Sequence, residues 1–262
     1  MRAPSPERQW MKDRLLTRQY ASRGEMGRAA ALETAAAMRE ILHAQGTVRM
    51  VFAAAPSQHE FLRDLAEEEN IDWKRVTVFH MDEYIGLDPH APQRFSHFLN
   101  QSLFSRVKPG VVHFIDGSAE PEQECERYAA LLREAPVDIV CLGIGENGHI
   151  AFNDPPVADF QDPYAMKCVE LDLLCRQQQV HDGCFERLID VPKQALTLTI
   201  PELLSAARLF CIVPGASKRN AVRDALEGPV STACPASILR THADCRLYLD
   251  RDSCPQDTGV NR

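Results

Sequence analysis

The sequence predicts an α/β protein, a single Rossmann-like domain in which a mostly parallel sheet carries helices on both faces. Short, wholly apolar segments of strand length alternate with segments of helix length along most of the chain, which is the pattern of repeated βαβ units. The 262 residues are 45% hydrophobic and 25% charged, as in ordinary globular proteins. No linker is recognisable inside the chain, so one domain is expected.

The first element is predicted to be an alanine-rich amphipathic helix over residues 24–45. The apolar run VRMVFAAA follows as a strand, and a helix starting at Pro56 and Ser57 completes a βα unit. Later strands are predicted at RVTVFHM, VVHFI, DIVCLGIG and RLFCIVPG, with helices at RFSHFLNQSLF, ECERYAALLRE and SKRNAVRDALEG. The domain therefore spans residues 24–252, between a flexible N-terminal tail or partner-binding arm (1–23) and a C-terminal tail (253–262).

Composition narrows the classes of function. The net charge is −8 and the pI is near 5.6, so the chain lacks the excess of positive charge that binds nucleic acid or anionic lipid. A small-molecule ligand is therefore favoured. No stretch approaches the ~20 apolar residues of a membrane span, and the first residues lack the apolar centre of a signal peptide. Nine cysteines without a C-x-x-C pair indicate neither zinc nor redox chemistry. We expect a cytoplasmic protein that needs no cofactor or metal.

Ligands of parallel sheets bind beyond the carboxyl ends of the strands, so the residues there are the candidates for chemistry. The first strand leads into Ala55, Ser57 and Gln58, which either hold an anion at a helix start or merely cap that helix. The second leads into Asp82 and Glu83. A carboxylate at that point is either a general base or the cap of a turn.

The fourth strand ends in a glycine-rich loop with two interpretations. Residues 143–148 match G-x-G-x-x-G, the pattern of dinucleotide sites, although Pro155 and Pro156 interrupt the long helix that should follow. The loop also carries His149 and, five residues later, Asp154. This pair could shuttle a proton, with the carboxylate fixing the tautomer of the imidazole, or His149 could be an ordinary surface histidine.

The strand RLFCIVPG runs into Ser217, which looks like a helix cap, and then into Lys218 and Arg219. Two cations in the first turn of a helix oppose its dipole, a conflict that a bound phosphate would remove. This corner is therefore either an anion site or a solvated basic surface.

The segments FHMDEYIG and LGIGENGHIAFNDP, in this order at the ends of sheet strands, closely resemble the glucosamine-6-phosphate deaminase/isomerase family. The resemblance runs from about Arg49 to Asp250, through KCVELD, VPKQALTLTI, PGASKRNAV and CPASILRTH. The related 6-phosphogluconolactonases share the sheet and a glycine–histidine turn. The family resemblance implies a homo-oligomeric hydrolase/isomerase that converts an amino-sugar 6-phosphate to a ketose 6-phosphate and ammonia.

The resemblance also implies roles for individual residues. Asp82 matches the base that moves a proton between C2 and C1, and His149 matches the acid/base that opens the sugar ring. Asp154 stands where the family has a glutamate that orients the histidine. Lys218 and Ser57 match phosphate-binding positions. Further substrate-binding positions are expected at Ala55, Gln58, Glu83, Gly145 and Gly148.

Some residues depart from the family pattern. The acid that usually precedes the histidine by two residues is Asn147, which can hydrogen-bond but cannot take up a proton. Pro56 removes a backbone donor from the phosphate loop. A later phosphate-binding arginine of the family falls near Gln179, and Arg176, one turn earlier, is the candidate to replace it. These departures keep open lactone hydrolysis, isomerisation of another sugar phosphate, and a non-catalytic sugar-phosphate sensor.

Overall fold

The computed structural model describes residues 3–255. Its strands are β1 (Arg8–Lys12), β2 (Leu15–Tyr20), β3 (Val48–Phe52), β4 (Val76–His80), β5 (Asp82–Tyr84), β6 (Val111–Val112), β7 (Ile139–Leu142), β8 (Met166–Glu170), β9 (Gln194–Leu198), β10 (Arg208–Val213) and β11 (Cys245–Asp250). Its α-helices are α1 (Arg23–Gln45), α2 (His59–Leu65), α3 (Phe95–Leu99), α4 (Ser105–Val107), α5 (Pro121–Arg133), α6 (Leu173–His181), α7 (Ile200–Leu204) and α8 (Arg219–Glu227). A π-helical turn, Asn100–Phe104, joins α3 to α4.

The central sheet has eight strands in the order β1-β2-β11-β10-β7-β3-β4-β6. Every neighbouring pair is parallel except β1 with β2. This confirms the predicted α/β fold with a mostly parallel sheet, because the apolar runs of the sequence are its central strands.

Two apolar layers cover the two faces of this sheet. In β3, Met50 and Phe52 belong to the core that α1 and α2 cover, whereas Val51 belongs to the core that α5 and α8 cover. Successive side chains of a strand point to opposite faces, so a strand buried on both sides reads as the continuous apolar run seen in the sequence.

The first helix has a defined start and stop. The hydroxyl of Ser22 accepts a hydrogen bond from the Glu25 N–H at its beginning. Gly46, at a φ of 88°, ends it and donates to the Leu42 carbonyl, a left-handed conformation that glycine adopts at little cost. The helix predicted over residues 24–45 is confirmed.

The prediction of a flexible tail at residues 1–23 is wrong for the part that the structure describes. Residues 8–20 form β1 and β2, and β2 pairs in parallel with β11. Leu15 and Thr17 are buried beneath the sheet edge, while Arg18 ion-pairs with Glu33 of α1. Leu16 and Arg18, which alternate with these inward side chains, are only partly buried, and this period of two hides a strand within a largely polar segment.

The predicted C-terminal tail lies mostly outside the described residues. At its start, Ser253 and Cys254 are buried, and Ser253 exchanges hydrogen bonds with Asp250, so these two residues belong to the folded domain. Residues 256–262 lie beyond the described part of the chain. Among residues 3–255, no helix combines the length and the apolar character needed to cross a membrane.

A second sheet, which the sequence pattern did not reveal, stands next to the first. It is antiparallel in the order β5-β9-β8, and Leu198 of β9 donates its N–H to the carbonyl of Met81. Asp82 therefore begins a strand rather than capping a turn. This pairing holds Asp82 directly beyond the carboxyl end of β4.

Candidate active site

A cleft opens beyond the carboxyl ends of β3, β4, β7 and β10. Its position is the one that a parallel sheet predicts. The polar and glycine residues of its wall are Ser57, Gln58, Asp82, Gly143, Gly145, His149, Gln178, Gln179 and Lys218. Its apolar wall is formed by Ala53, Ala54, Ala55, Met81, Phe95, Ile144, Ala151 and Phe152. We refer to this space as the cleft.

One end of the cleft has the character of an anion site. Lys218 is buried there, and burial lowers the pKa of its ammonium group although Asp182 and Glu146 oppose the shift. The Gln58 amide donates to the Ile212 carbonyl and to the Ser57 hydroxyl. A cation that is partly stripped of water, in a cleft that a hydroxyl also lines, favours a phosphate group.

The predicted helix caps at this end of the cleft are not present. Ser57 lies within a 3₁₀ turn, Pro56–Gln58, that has no side-chain cap, and Ser217 lies within another, Ala216–Lys218, that begins at Gly215. Arg219 points away from the cleft and donates to the Asp252 carbonyl. Of the two predicted cations, only Lys218 lines the cleft.

Asp82 supplies the carboxyl group at the floor of the cleft. Burial raises its pKa well above the usual range, and the neighbouring charge of Glu83 adds to the shift. A carboxylate whose pKa is raised toward neutrality is a stronger base than an exposed one.

The imidazole of His149 is buried at the cleft wall, so the surface-histidine interpretation is wrong. Its Nδ1 lies 2.8 Å from Asp154 Oδ1 and 2.7 Å from Asn147 Oδ1. The Asn147 amide in turn donates to Asp154 Oδ1 at 2.9 Å. These contacts occupy Nδ1, which leaves Nε2 as the nitrogen available to a ligand.

The three side chains form one electrostatic unit. Burial alone would raise the pKa of Asp154, but the hydrogen bond and charge of His149, together with the Asn147 amide, lower it below its usual value. Asp154 is therefore an anion at neutral pH. Asn147 and Asp154 act through His149, since neither is part of the cleft wall.

Two glycines make room for this unit. A Cβ atom on Gly145 would lie 2.2 Å from ring atoms of His149, so only glycine lets the imidazole pack against this strand end. Gly148 has a φ of 84°, and a Cβ there would lie 2.8 Å from the sulfur of Cys234. Gly145 borders the cleft, whereas Gly148 shapes the loop behind it.

Glu83, predicted to bind substrate, does not reach the cleft. Its carboxylate is fully buried and accepts hydrogen bonds from the N–H groups of Tyr84, Phe95 and Ser96 and from the Ser96 hydroxyl. Four donors on one carboxylate hold the loop between β5 and α3 in place. Glu83 is thus a structural anchor beside Asp82.

Arg176, predicted to replace a phosphate-binding arginine, also turns away. Its guanidinium donates to the carbonyls of Leu188 and Val191. Gln178 and Gln179, later in the same helix, line the cleft instead. Gln178 accepts from the Glu146 N–H and donates to Asp182, a role that no local sequence signal indicated.

The dinucleotide alternative fails on local structure. The first α-helix after β7 in the described chain is α6, which begins at Leu173. Residues 143–148 therefore do not lead into the helix whose N-terminus would bind a pyrophosphate.

Known proteins resemble this chain in sequence and in fold. The family model described as glucosamine-6-phosphate isomerases/6-phosphogluconolactonase matches residues 21–169. A glucosamine-6-phosphate deaminase of Exiguobacterium sibiricum is 38% identical over 188 residues, 71% of this chain and 72% of the relative.

Two solved structures extend the comparison to the fold. One, described as a monomeric glucosamine-6-phosphate deaminase, superposes with a TM-score of 0.83 at 32% identity, over 90% of this chain and 98% of that chain. A 6-phosphogluconolactonase from Thermotoga maritima shares the fold, with a TM-score of 0.75 at 21% identity, over 90% of this chain and all of the other. The family model covers more than half of the 262 residues, and this chain belongs to the glucosamine-6-phosphate isomerase/6-phosphogluconolactonase family.

Proposed function

We propose that this protein is a glucosamine-6-phosphate deaminase, which converts glucosamine 6-phosphate and water to fructose 6-phosphate and ammonia. The observation that carries the proposal is the grouping of Asp82, the His149 unit and Lys218 around one cleft. A base, an oriented imidazole and an anion site are the groups that enolisation of a sugar phosphate needs.

Lys218 and Ser57 hold the phosphate in this proposal, with Gln58 and Gln179 beside them. Fixing the phosphate at one end of the cleft orients the sugar so that C1 and C2 reach the carboxylate at the floor. The binding energy of a group remote from the reacting carbons is thereby used for positioning.

His149 opens the ring. Its Nε2 takes the proton of the C1 hydroxyl and returns a proton to the ring oxygen, so that the C1 aldehyde forms. Asp154 stabilises the imidazolium between the two transfers, and Asn147 holds both side chains in register. The ring opens without a net change in protonation.

Asp82 then carries the isomerisation. The carboxylate removes the proton from C2 while a water molecule gives a proton to O1, so that an enolamine forms, and the carboxyl group then delivers its proton to C1. The resulting C2 iminium adds water and expels ammonia, which leaves the ketose phosphate. The raised pKa of Asp82 suits it both to accept and to return this proton.

Hydrolysis of a 6-phospholactone is a second candidate, favoured by one observation. Asn147 cannot carry a proton, so the site has one proton carrier fewer than the family pattern for opening the hemiacetal ring of a sugar. A lactone has no hemiacetal, because its ring opens when water adds to the C1 carbonyl. His149 would activate the attacking water in that reaction, and Asp82 would have no proton to move.

Ammonia release from glucosamine 6-phosphate, coupled to detection of fructose 6-phosphate, tests the proposal. Both products are expected from the unmodified chain, none from Asp82→Asn, and circular dichroism should show both proteins folded. A protein that hydrolyses 6-phosphogluconolactone but releases no ammonia would establish the second candidate, with Asp82→Asn retaining that activity. Tight binding of the sugar phosphate without turnover would instead indicate a sensor.

We also propose a cytoplasmic location. The eight cysteines from Cys125 to Cys245 are free thiols, as expected in a reducing compartment. The homo-oligomer stays a prediction, since a similar deaminase structure is described as monomeric. Sedimentation of the purified protein across a range of concentrations would show whether it is a monomer or a homo-oligomer.

A further inference from the structure

Three donor groups of different chemistry meet behind the cleft wall. A ring nitrogen of His149, a carboxylate oxygen of Asp154 and the sulfur of Cys175 all lie within 4.8 Å of one another, and all three residues are buried. Cys175 belongs to the first turn of α6 and has no role in the reaction proposed above. The cysteine spacing in the sequence indicated no metal site.

A second observation concerns the carboxylate of this cluster. Asp154 Oδ1 is bonded to His149 and Asn147, but Oδ2 of the same carboxylate is buried and has no hydrogen bond of ordinary geometry within the described residues. The Asp154 side chain is 1% exposed, so water does not reach this oxygen freely. The Cys175 thiol and the Asp172 backbone are further polar groups near this carboxylate, and exchanging the thiol proton for a cation would give the buried oxygen a direct partner.

The three donor atoms of this cluster indicate which class of cation it would bind. Sulfur and imidazole nitrogen favour zinc and similar thiophilic ions over magnesium and calcium, which prefer oxygen. Zinc bonds of about 2.0 to 2.3 Å place tetrahedral donors about 3.5 Å apart, and the donor atoms of this cluster lie within 4.8 Å of one another. Three protein ligands would leave the fourth position of a tetrahedral zinc ion to water.

We propose that His149, Asp154 and Cys175 form an inhibitory site for a thiophilic divalent cation such as zinc. Binding exchanges the thiol proton of Cys175 for the cation and releases that proton to solvent. The bound cation occupies a ring nitrogen of His149 and the Asp154 carboxylate, so the imidazole can no longer exchange protons with the support of Asp154, and turnover stops. The inhibition rests on the proposed function, whereas the binding does not.

Metal binding is measured on chelator-treated protein without substrate. Zinc is titrated against a chromophoric chelator, and cobalt(II) is added separately to record the thiolate-to-cobalt absorption band. We expect one ion per chain, and Cys175→Ser should lose the band and at least about tenfold in zinc affinity. Cys184→Ser is the matched control. Cys175 and Cys184 both lie near Tyr84, but Cys184 is not one of the three donors. This variant should therefore bind zinc and cobalt as the unmodified protein does.

Turnover is measured in the same preparations. Zinc should abolish ammonia release reversibly, with EDTA restoring it, while magnesium has no effect and Cys175→Ser resists zinc. If Cys175→Ser does not fold, Cys175→Val replaces it. The proposal is overturned if the unmodified protein binds no zinc, or if both Cys175 variants bind zinc as tightly as it does. Zinc binding by a protein without deaminase activity would refute the proposed function and leave this site standing.

Discussion

His149 and Asp154 form the closest contact of an imidazole with a carboxylate in the cleft region, with 2.8 Å between Nδ1 and Oδ1. Asn147 contacts both side chains, because its carbonyl oxygen faces the imidazole and its amide nitrogen faces the carboxylate. The amide orientation therefore agrees with a proton on Nδ1 and a lone pair on Nε2. Four predictions follow from this geometry and its surroundings.

Asp154→Asn should lower kcat roughly 100-fold, the range of a lost proton-transfer function, with little change in KM. The amide can no longer stabilise the imidazolium, yet Asp154 is not part of the cleft wall. Steady-state kinetics check both parameters. Asp159→Asn, at an exposed position in the same segment, is the control and should match the unmodified protein. An equal rise in KM would show that Asp154 binds substrate directly.

The rate should fall in acid because Asp82 must be ionised to act as the base. Burial and then the charge of Glu83 raise its pKa, so the acid limb of kcat/KM should lie above the ordinary aspartate value of about 3.9. As pH drops through the raised pKa, the carboxylate takes up a proton and activity is lost. A pH–rate profile measures this limb, and Glu202→Gln, which removes another carboxyl with a raised pKa, should not move it. A rate that stays constant down to about pH 4 would contradict the assignment.

Lys218→Met should raise KM at least about tenfold, equivalent to ~1.4 kcal/mol of binding energy, with a smaller effect on kcat. In the proposed reaction the ammonium binds the phosphate, far from the reacting carbons, so its loss should cost the ground state and the transition state similar energy. Inhibition by inorganic phosphate should weaken in parallel. Arg219→Gln removes the neighbouring cation, which bonds to Asp252 instead, and should leave KM within about twofold.

Gln179→Arg should lower KM for the sugar phosphate several-fold. Gln179 lines the cleft together with Lys218, and a guanidinium there adds a bidentate partner for phosphate. Isothermal titration with substrate or a non-reactive analogue measures the gain. Gln177→Arg adds the same charge two residues earlier, outside the cleft wall, and should have no effect. An equal increase in affinity in both variants would show a long-range charge effect and not a direct contact with the phosphate.

Several parts of the fold could be predicted because local patterns decide them. The alanine-rich segment ended by Gly46 became α1, and the continuous apolar runs became β3, β4, β7 and β10. The small antiparallel sheet could not be predicted, since β5 has three residues and its partner β9 lies more than 100 residues later. Such pairing depends on contacts that no sequence window contains.

The sequence by itself determined the parallel sheet and the strand ends at which Asp82, His149 and Lys218 stand, because buried parallel strands carry their own hydrophobic signature and place their exits along one edge. Only the tertiary structure decided which neighbouring polar side chains enter the cleft. Asp82 and Glu83 are adjacent in β5, and alternate residues of a strand face opposite sides, so the pairing with β9 sends one to the cleft and the other to the loop before α3. Likewise, the carbonyls of Leu188 and Val191 accept hydrogen bonds from the Arg176 guanidinium, so Gln179 lines the cleft and Arg176 does not. These partners come from distant segments, and folding alone brings them together.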